Sequence, residues 1–491
     1  MNNTQAGDHS QGKFAFGMML DHPTHRDLNL VIFSIAFGMA FTVISGYPGA
    51  SPLFTAYLKD HLGISDSAYG LILTLPFITV LIQIPYTAFV ARFGRLKPAF
   101  LITAAFAKSM LLILALLPVL APNVSSQAAF YVVVVTIILL SIFNWIADAA
   151  LNTWFGALIP SEIKGRYFST RQMLFTFAML IYALIMSQLL RTLADWIWKY
   201  TFFFSFATLM GLIDIAFYLR VRPPEKAYLP WFHNSATNKA QTFSMQEFLS
   251  PLRDDRYRAY LLFAISWNFS LQISGPYYNV YMLNTLNFTL GDMTLMTQII
   301  PAVATILFLR KIGQAYDRYG FRPVLILSCA ISLIIPLFWL CATPSSNWFL
   351  FPVNVLSGVF NIGIELAIMS LAIFLAPHEA RSAYIAMKNV AMSLVGFVPA
   401  ILLGGFLSDQ LKPVLLTAHL PFVRGQQLNP FHILLVLSFL LRMLTLLVFA
   451  RRLSEPTALS FPAFVAEAQA AGQAYFREKR RHLRKRLKRF K

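Results

Sequence analysis

Apolar runs of about 20 residues, separated by shorter polar stretches, recur along the whole chain. A helix rising 1.5 Å per residue needs about 20 such residues to cross the hydrocarbon of a bilayer. Measured this way, the pattern predicts twelve spans, over residues 29–50, 68–90, 98–118, 128–155, 168–190, 197–219, 258–283, 290–309, 323–341, 347–375, 383–407 and 430–450. One polar interval, Arg220 to Arg258, is far longer than the rest and divides the spans into two sets of six. The expectation is an all-α integral membrane protein with twelve transmembrane helices in two pseudo-symmetric six-helix bundles. Its parts are an N-terminal segment 1–28, a bundle 29–219, a linker 220–257, a bundle 258–450 and a tail 451–491. The polar N-terminus runs into a full-length span, without the short apolar core and cleavage site of a signal peptide, so the first span is expected to stay as an anchor. In the linker, SMQE at 244–247 reads as a capping box for a short helix beginning near Ser244; the other reading is an unstructured tether.

Composition agrees with the pattern: 57% hydrophobic residues, 12% charged and a mean hydropathy of +0.61 exceed what a soluble core carries. Charge then sets orientation. Only Lys59, Arg191, Lys199, Lys412 and Arg424 lie in the loops of one side, and Lys108 and Arg442 lie within spans; the other Lys and Arg residues share the side of both termini. The positive-inside rule therefore predicts cytoplasmic termini in a plasma membrane, the inner membrane of a bacterium. The net charge of +19 is mostly this topology signal, not a nucleic-acid surface. In the tail, Phe476, Leu483, Leu487 and Phe490 form a stripe beneath the basic run REKRRHLRKRLKRFK, a pattern suited to lying on anionic lipid; a solvated tail is the alternative. Cys329 and Cys341 fall about 18 Å apart on one predicted helix and cannot pair.

Asp148 interrupts an apolar stretch, NWIADAALNTWFGALIP at 144–160, where a charge costs several kcal/mol unless it meets a partner, cavity or water. Residues 361–389 overlay 144–172 without a gap. Asn361 then meets Asn144, Glu365 meets Asp148, Pro377 meets Pro160, and Glu379 meets Glu162. Further on, Arg381 meets Lys164, Tyr384 meets Tyr167, Lys388 meets Arg171, and Asn389 meets Gln172. Spans four and ten read as copies of one element, as in transporters built from parallel six-span halves with a midplane site between them.

A second repeat lies in the loops after spans two and eight: TAFVARFGRLKP at 87–98 and GQAYDRYGFRP at 313–323. Both carry Arg, an aromatic residue and Gly, then Pro at the start of the next helix, where its missing N–H is tolerated. These loops resemble the signature Gly-x-Leu-Ala-Asp-Arg-x-Gly-Arg-Lys of the major facilitator superfamily. The N-terminal copy keeps Arg92 and Gly94 but has Thr87 and Ala91 for the glycine and aspartate; the C-terminal copy keeps Gly313, Asp317, Arg318 and Gly320. The resemblance implies that Asp317 helps close the cytoplasmic side against the start of span five, near Arg166 and Arg171. PSEIKGR at 160–166 is similar to the turn after span four of sugar porters, but Ala157 replaces their glutamate. Span five, MLFTFAMLIYALIMSQLL, lacks the Gly-Pro motif of many proton-coupled drug exporters, which disfavours export.

The resemblance further implies that spans one, four, seven and ten line a central cavity. Asn144, Asp148 and Asn152 recur every four residues on span four; Asn354, Asn361 and Glu365 share a face of span ten; Asn268, Gln272 and Asn279 align on span seven beside Trp267, Tyr277 and Tyr278. Amides and rings suit a small polar organic substrate, though Asn and Gln also bond helix to helix in membranes. Asp148 and Glu365 suit proton or cation coupling; the alternative is structural pairing with Lys108 or Arg442. Asp214 reads as interfacial. No Cys/His cluster has metal spacing and His378-Glu379 lacks the second histidine of a zinc protease helix, so neither metal, cofactor nor catalysis is expected. The expected function is a monomeric secondary transporter taking up a small polar solute, driven by protons. An exporter, or a sensor on the same fold, fits the same residues.

Overall fold

The computed structural model describes residues 13–15, 18–83, 96–120, 125–159, 163–193, 195–196, 198–223, 248–377, 381–415, 428–453 and 467. Among the described residues, ten helices are long and apolar enough to cross a membrane, and Asp66–Ile82 is a shorter apolar helix. Span one is His22–Ser45, capped by the Asp21 side chain at its start and ended by Gly46 at φ 71°, a left-handed turn that glycine adopts without a Cβ penalty. Spans three to six are Leu96–Leu120, Ser126–Leu158, Lys164–Thr192 and Lys199–Tyr218. Span seven departs from expectation: instead of one helix over 258–283 it is two, Asp255–Gln272 and Tyr277–Asn284, broken at Ser274-Gly275-Pro276. Spans eight to twelve are Leu290–Tyr319 (with a π-helical turn at Leu295–Ile299), Phe321–Leu340, Leu350–Leu375, Arg381–Val414 and Pro430–Val448. A short hairpin, Lys13–Ala15 against Met18–Leu20, precedes span one. The linker helix expected near Ser244 and the basic stripe of the tail lie outside the described residues.

Each bundle is clasped near the end that carries the termini. Asp27, fully buried at the start of span one, accepts from Arg222 Nε at 2.7 Å and from the Arg222 backbone N–H at 3.2 Å, just beyond span six. Lys97 donates to the carbonyls of Leu219 and Val221 at 2.8 Å, covering the C-terminal carbonyls of span six, and Trp154 Nε1 donates to the Arg222 carbonyl. The second bundle uses tyrosines: Tyr257, Tyr260 and Tyr316 donate to the carbonyls of Tyr384, Ile368 and Gly363. A buried hydroxyl with an acceptor avoids the desolvation penalty, which is why these rings tolerate full burial.

The bundles meet at the opposite end. Spans two and eleven pack closely because Gly70, Gly404 and Gly405 leave room for the Tyr277 ring; a Cβ at Gly405 would come within 2.6 Å of the Tyr277 hydroxyl. Asp409, on span eleven, accepts from the backbone N–H of Asp66 at 3.0 Å and of Ser67 at 2.8 Å, covering the first turn of span two. Ser408 donates to Asp66 Oδ2 at 2.6 Å, and Lys59 pairs with Asp66. Spans five and eight are joined by Arg191 with Asp292 at 2.6 Å and by Ser187 Oγ donating to the Gly291 carbonyl at 2.7 Å. Asn279 donates to the Ala50 carbonyl at 3.2 Å.

Candidate functional site

The two carboxylates matched by the internal repeat occupy equivalent places. Asp148 and Glu365 are both exposed, on spans four and ten, and each lies within electrostatic reach of a cation from the next span: Arg171 for Asp148, Lys388 for Glu365. Arg171 and Lys388 are the pair that the overlay aligns, so the repeat duplicates a carboxylate–cation unit, not a carboxylate alone. Lys388 is 8% exposed, and its ammonium approaches Met369 Sδ at 3.4 Å. Glu365 thus has Lys388 within electrostatic reach, not Arg442, and Asp148 has Lys108 as well as Arg171.

The N-terminal unit is larger. Lys108 Nζ lies 3.8 Å from the centroid of the Phe41 ring, a cation–π contact, and within reach of Asp148 and Asp214. Asp214, which its distance from Arg220 places near the interface by sequence, turns its carboxylate into the bundle. Its carboxylate points across the bundle at Gly38 of span one, where a Cβ would lie 2.7 Å from Oδ2, and Ser34, Lys108 and Arg171 surround it. Arg171 also stands over Phe155, 5.1 Å from the ring centroid. The Tyr47 hydroxyl lies beside Ser141, Asn144 and Asp148, and neither it nor Ser141 Oγ completes a hydrogen bond. Tyr47 borders a cavity whose walls include Phe54, Ile72, Leu73, Leu111 and Ile137. Sequence reading passed over Tyr47; its signal is an aromatic hydroxyl in the GYPG turn that ends span one.

The other candidates divide. Asn152 is exposed and Asn144 half-buried on the Asp148 face. Asn361 bonds to protein, donating to Ser357 Oγ at 2.8 Å and accepting from Ser332 at 3.3 Å. Asn354 and Asn268 donate to carbonyls of their own helices. Gln272, half-buried, sits at the break of span seven, its Oε1 3.0 Å from where a Gly275 Cβ would be. Trp267 is fully buried in the packing of the second bundle and stacks on Phe263, because its face of span seven turns inward. Tyr278 packs edge-on against Trp339 and Phe431 inside the bundle. Trp267 is thus closed to solvent, whereas Tyr278 is half-buried.

Of the loop motifs, Arg92, Gly94 and the Asp317 side chain lie outside the described residues. Gly320 adopts φ 88°, which explains glycine at the turn between spans eight and nine. Gly313 has open space around its Cα. Arg318 pairs with Glu467 of the tail at 2.6 Å. Arg166 is exposed at the start of span five.

The sequence profile of the Major Facilitator Superfamily matches residues 30–400, most of the chain. The chain belongs to the major facilitator superfamily. Solved structures agree on the fold. A mutant form of the nucleoside transporter NupG superposes with a TM-score of 0.65 at 13% identity, covering 88% of this chain and 100% of its own. The inward-open xylose transporter XylE from E. coli gives 0.58 at 16% identity over 90% and 98%. A POT family transporter in complex with a thioalcohol-conjugated peptide gives 0.59 at 17% identity over 91% and 99%. No curated protein sequence matches. At these identities the superfamily fold is shared; cargo is a separate question.

Proposed function

We propose that this superfamily member is a secondary active transporter that takes up a small polar organic solute by alternating access, coupled to protons. The observation that carries the reading is the duplicated carboxylate–cation unit, Asp148 with Arg171 and Glu365 with Lys388. Protonation of Glu365 removes the negative charge that Lys388 faces and releases the ammonium to a negative or hydroxyl group of the solute. Deprotonation restores the internal partner and expels the solute's group. A single cation thus answers to proton and cargo in turn, which is the linkage a symporter needs. On the other bundle Asp148, Asn144, Asn152 and the Tyr47 hydroxyl supply acceptors and donors for the rest of the molecule.

Three of the structural neighbours are named for polar organic molecules, a nucleoside, xylose and a peptide conjugate, which supports a polar organic solute, while another is a homologue of an iron transporter. The basic-residue distribution supports cytoplasmic termini, a bacterial inner membrane and a tail resting on anionic lipid. By that orientation the contacts of Asp409, Arg191 and Asn279 belong to the outer side. The working unit is a monomer, since each bundle supplies one half of the site.

The test is reconstitution of purified protein in liposomes, with solutes first chosen by thermal stabilisation. An imposed inward proton gradient should accumulate a stabilising solute, and a protonophore should abolish the accumulation. A solute that stabilises but never accumulates would make the protein a sensor; accumulation unaffected by the protonophore would remove proton coupling.

A further inference from the structure

Arg442 lies about two-thirds of the way along span twelve, within the hydrocarbon depth, and is 3% exposed. A guanidinium keeps its proton in proteins, so this residue is a permanent buried cation. Buried ions persist where a partner of opposite charge neutralises them. No carboxylate among the described residues pairs with Arg442. The described carboxylates of the second bundle are committed elsewhere: Glu365 faces Lys388, Asp409 covers span two, and Asp292 pairs with Arg191.

What surrounds Arg442 is a set of neutral groups: a carbonyl, two hydroxyls and a thiol. Its Nη1 donates to the Ser332 carbonyl at 3.1 Å, but Nε has no acceptor. The Tyr278 hydroxyl lies beside both Arg442 and Ser274, and neither that hydroxyl nor Ser274 Oγ completes a hydrogen bond. Ser274 and Cys329 are fully buried, and Cys329 also borders the guanidinium. Two hydroxyls and a guanidinium N–H from spans seven and twelve, none with a completed hydrogen bond, thus converge on a positive charge that no described carboxylate neutralises. Clusters of unsatisfied buried polar atoms are rare enough to ask for a missing partner, and the partner these lack is a negative one.

We infer that Arg442, Tyr278 and Ser274 bind a small monovalent inorganic anion, of chloride's size, inside the second bundle. A spherical anion accepts from a guanidinium and two hydroxyls without demanding the planar, two-oxygen geometry of a carboxylate, and only a small ion suits a place so closed to solvent. Trp339 and Phe431 hold the Tyr278 ring edge-on at 4.8 and 5.0 Å, fixing the direction of its hydroxyl. The ion neutralises Arg442 and ties span seven, at its break, to span twelve. This assignment stands apart from the solute site and does not depend on it.

The test uses the purified full-length protein, unfolded by heat while sodium gluconate is replaced stepwise by sodium chloride at constant ionic strength. Wild type should gain a saturable rise in midpoint of about 3 °C, as mass action on the folded state requires. Arg442→Gln should lose the chloride dependence, and Tyr278→Phe should need roughly tenfold more chloride for half-saturation. An equal wild-type midpoint in the two salts, or a chloride effect retained in Arg442→Gln, overturns the assignment. If Arg442→Gln does not fold, Tyr278→Phe and Ser274→Ala decide: unshifted half-saturation in both overturns it. A chloride-independent wild type that Cys329→Ala destabilises would instead make the thiolate the counter-ion, and would equally overturn it.

Discussion

Glu365 and Lys388 carry the coupling reading, and single substitutions separate their roles. Glu365→Gln keeps size and removes ionisation; concentrative uptake should fall at least tenfold while solute exchange across the membrane stays near wild type. Normal gradient-driven uptake in that variant would end the coupling role. Asp148→Asn should weaken solute binding roughly tenfold with less than about 1 kcal/mol of destabilisation, because Asp148 is exposed and Lys108 keeps Asp214 within reach. Thermal-shift titration measures both quantities in one experiment. The match of Asp148 with Glu365 was legible because polar residues stand out in apolar helices. Their cations were not, because Arg171 and Lys388 were counted with the loop charges of the terminal side. In the folded chain they lie about two turns inside helices that begin at Lys164 and Arg381. A charge near a helix end depresses the hydropathy window and makes the span look shorter than it is. The inward turn of Asp214 is hidden for a related reason: distance along the chain from Arg220 says nothing of Gly38, whose missing side chain is what admits the carboxylate.

At the scale of elements, most of the spans were readable to within about two helical turns, since the 20-residue requirement of a bilayer leaves little freedom. The exception is span seven, where hydropathy runs unbroken through Ser274-Gly275-Pro276 although glycine and proline together marked the break. That break is why Trp267 and Tyr278 could not be assigned to a cavity by helical spacing: residues on either side of it do not share one wheel. Packing between elements was equally hidden, because small residues announce a close approach without naming the neighbour. Gly404 and Gly405 prove to face span seven and the start of span two. Gly405→Val places two methyl groups against Tyr277 and the Asp66 carbonyl, so it should hold spans two and eleven apart. Intramolecular crosslinking between one cysteine introduced at the facing end of each of those spans should drop several-fold, with far-UV helicity unchanged. Unaltered crosslinking would mean that the interface tolerates bulk and sets no limit on closure.

For the molecule as a whole, alternating access requires two conformations of similar free energy, so a contact made in only one of them sets their ratio. The described hydrogen bonds linking the bundles lie at the end away from the termini. The most directional is Asp409 on the two backbone N–H groups that open span two. At the other end, superfamily resemblance gives Asp317 the corresponding task against the start of span five, with Ala91 unable to serve in the first bundle. The resemblance thus pairs Asp409, which covers the start of span two, with an expected counterpart in Asp317, and on that expectation the two act as opposed locks. A charge-assisted bond is worth about 1.5 to 3 kcal/mol against about 0.5 to 1.5 for a neutral one. Replacing either carboxylate by an amide should therefore move the equilibrium by roughly tenfold, at about 1.4 kcal/mol per decade. Asp409→Asn should expose a reporter cysteine at the mouth away from the termini, and Asp317→Asn one at the mouth beside them, both in a Cys329- and Cys341-free background. The double variant should return both accessibilities towards wild type, because the two losses act with opposite sign on one equilibrium. Additive exposure at both mouths would show instead that the substitutions loosen the structure locally and that neither aspartate sets the balance.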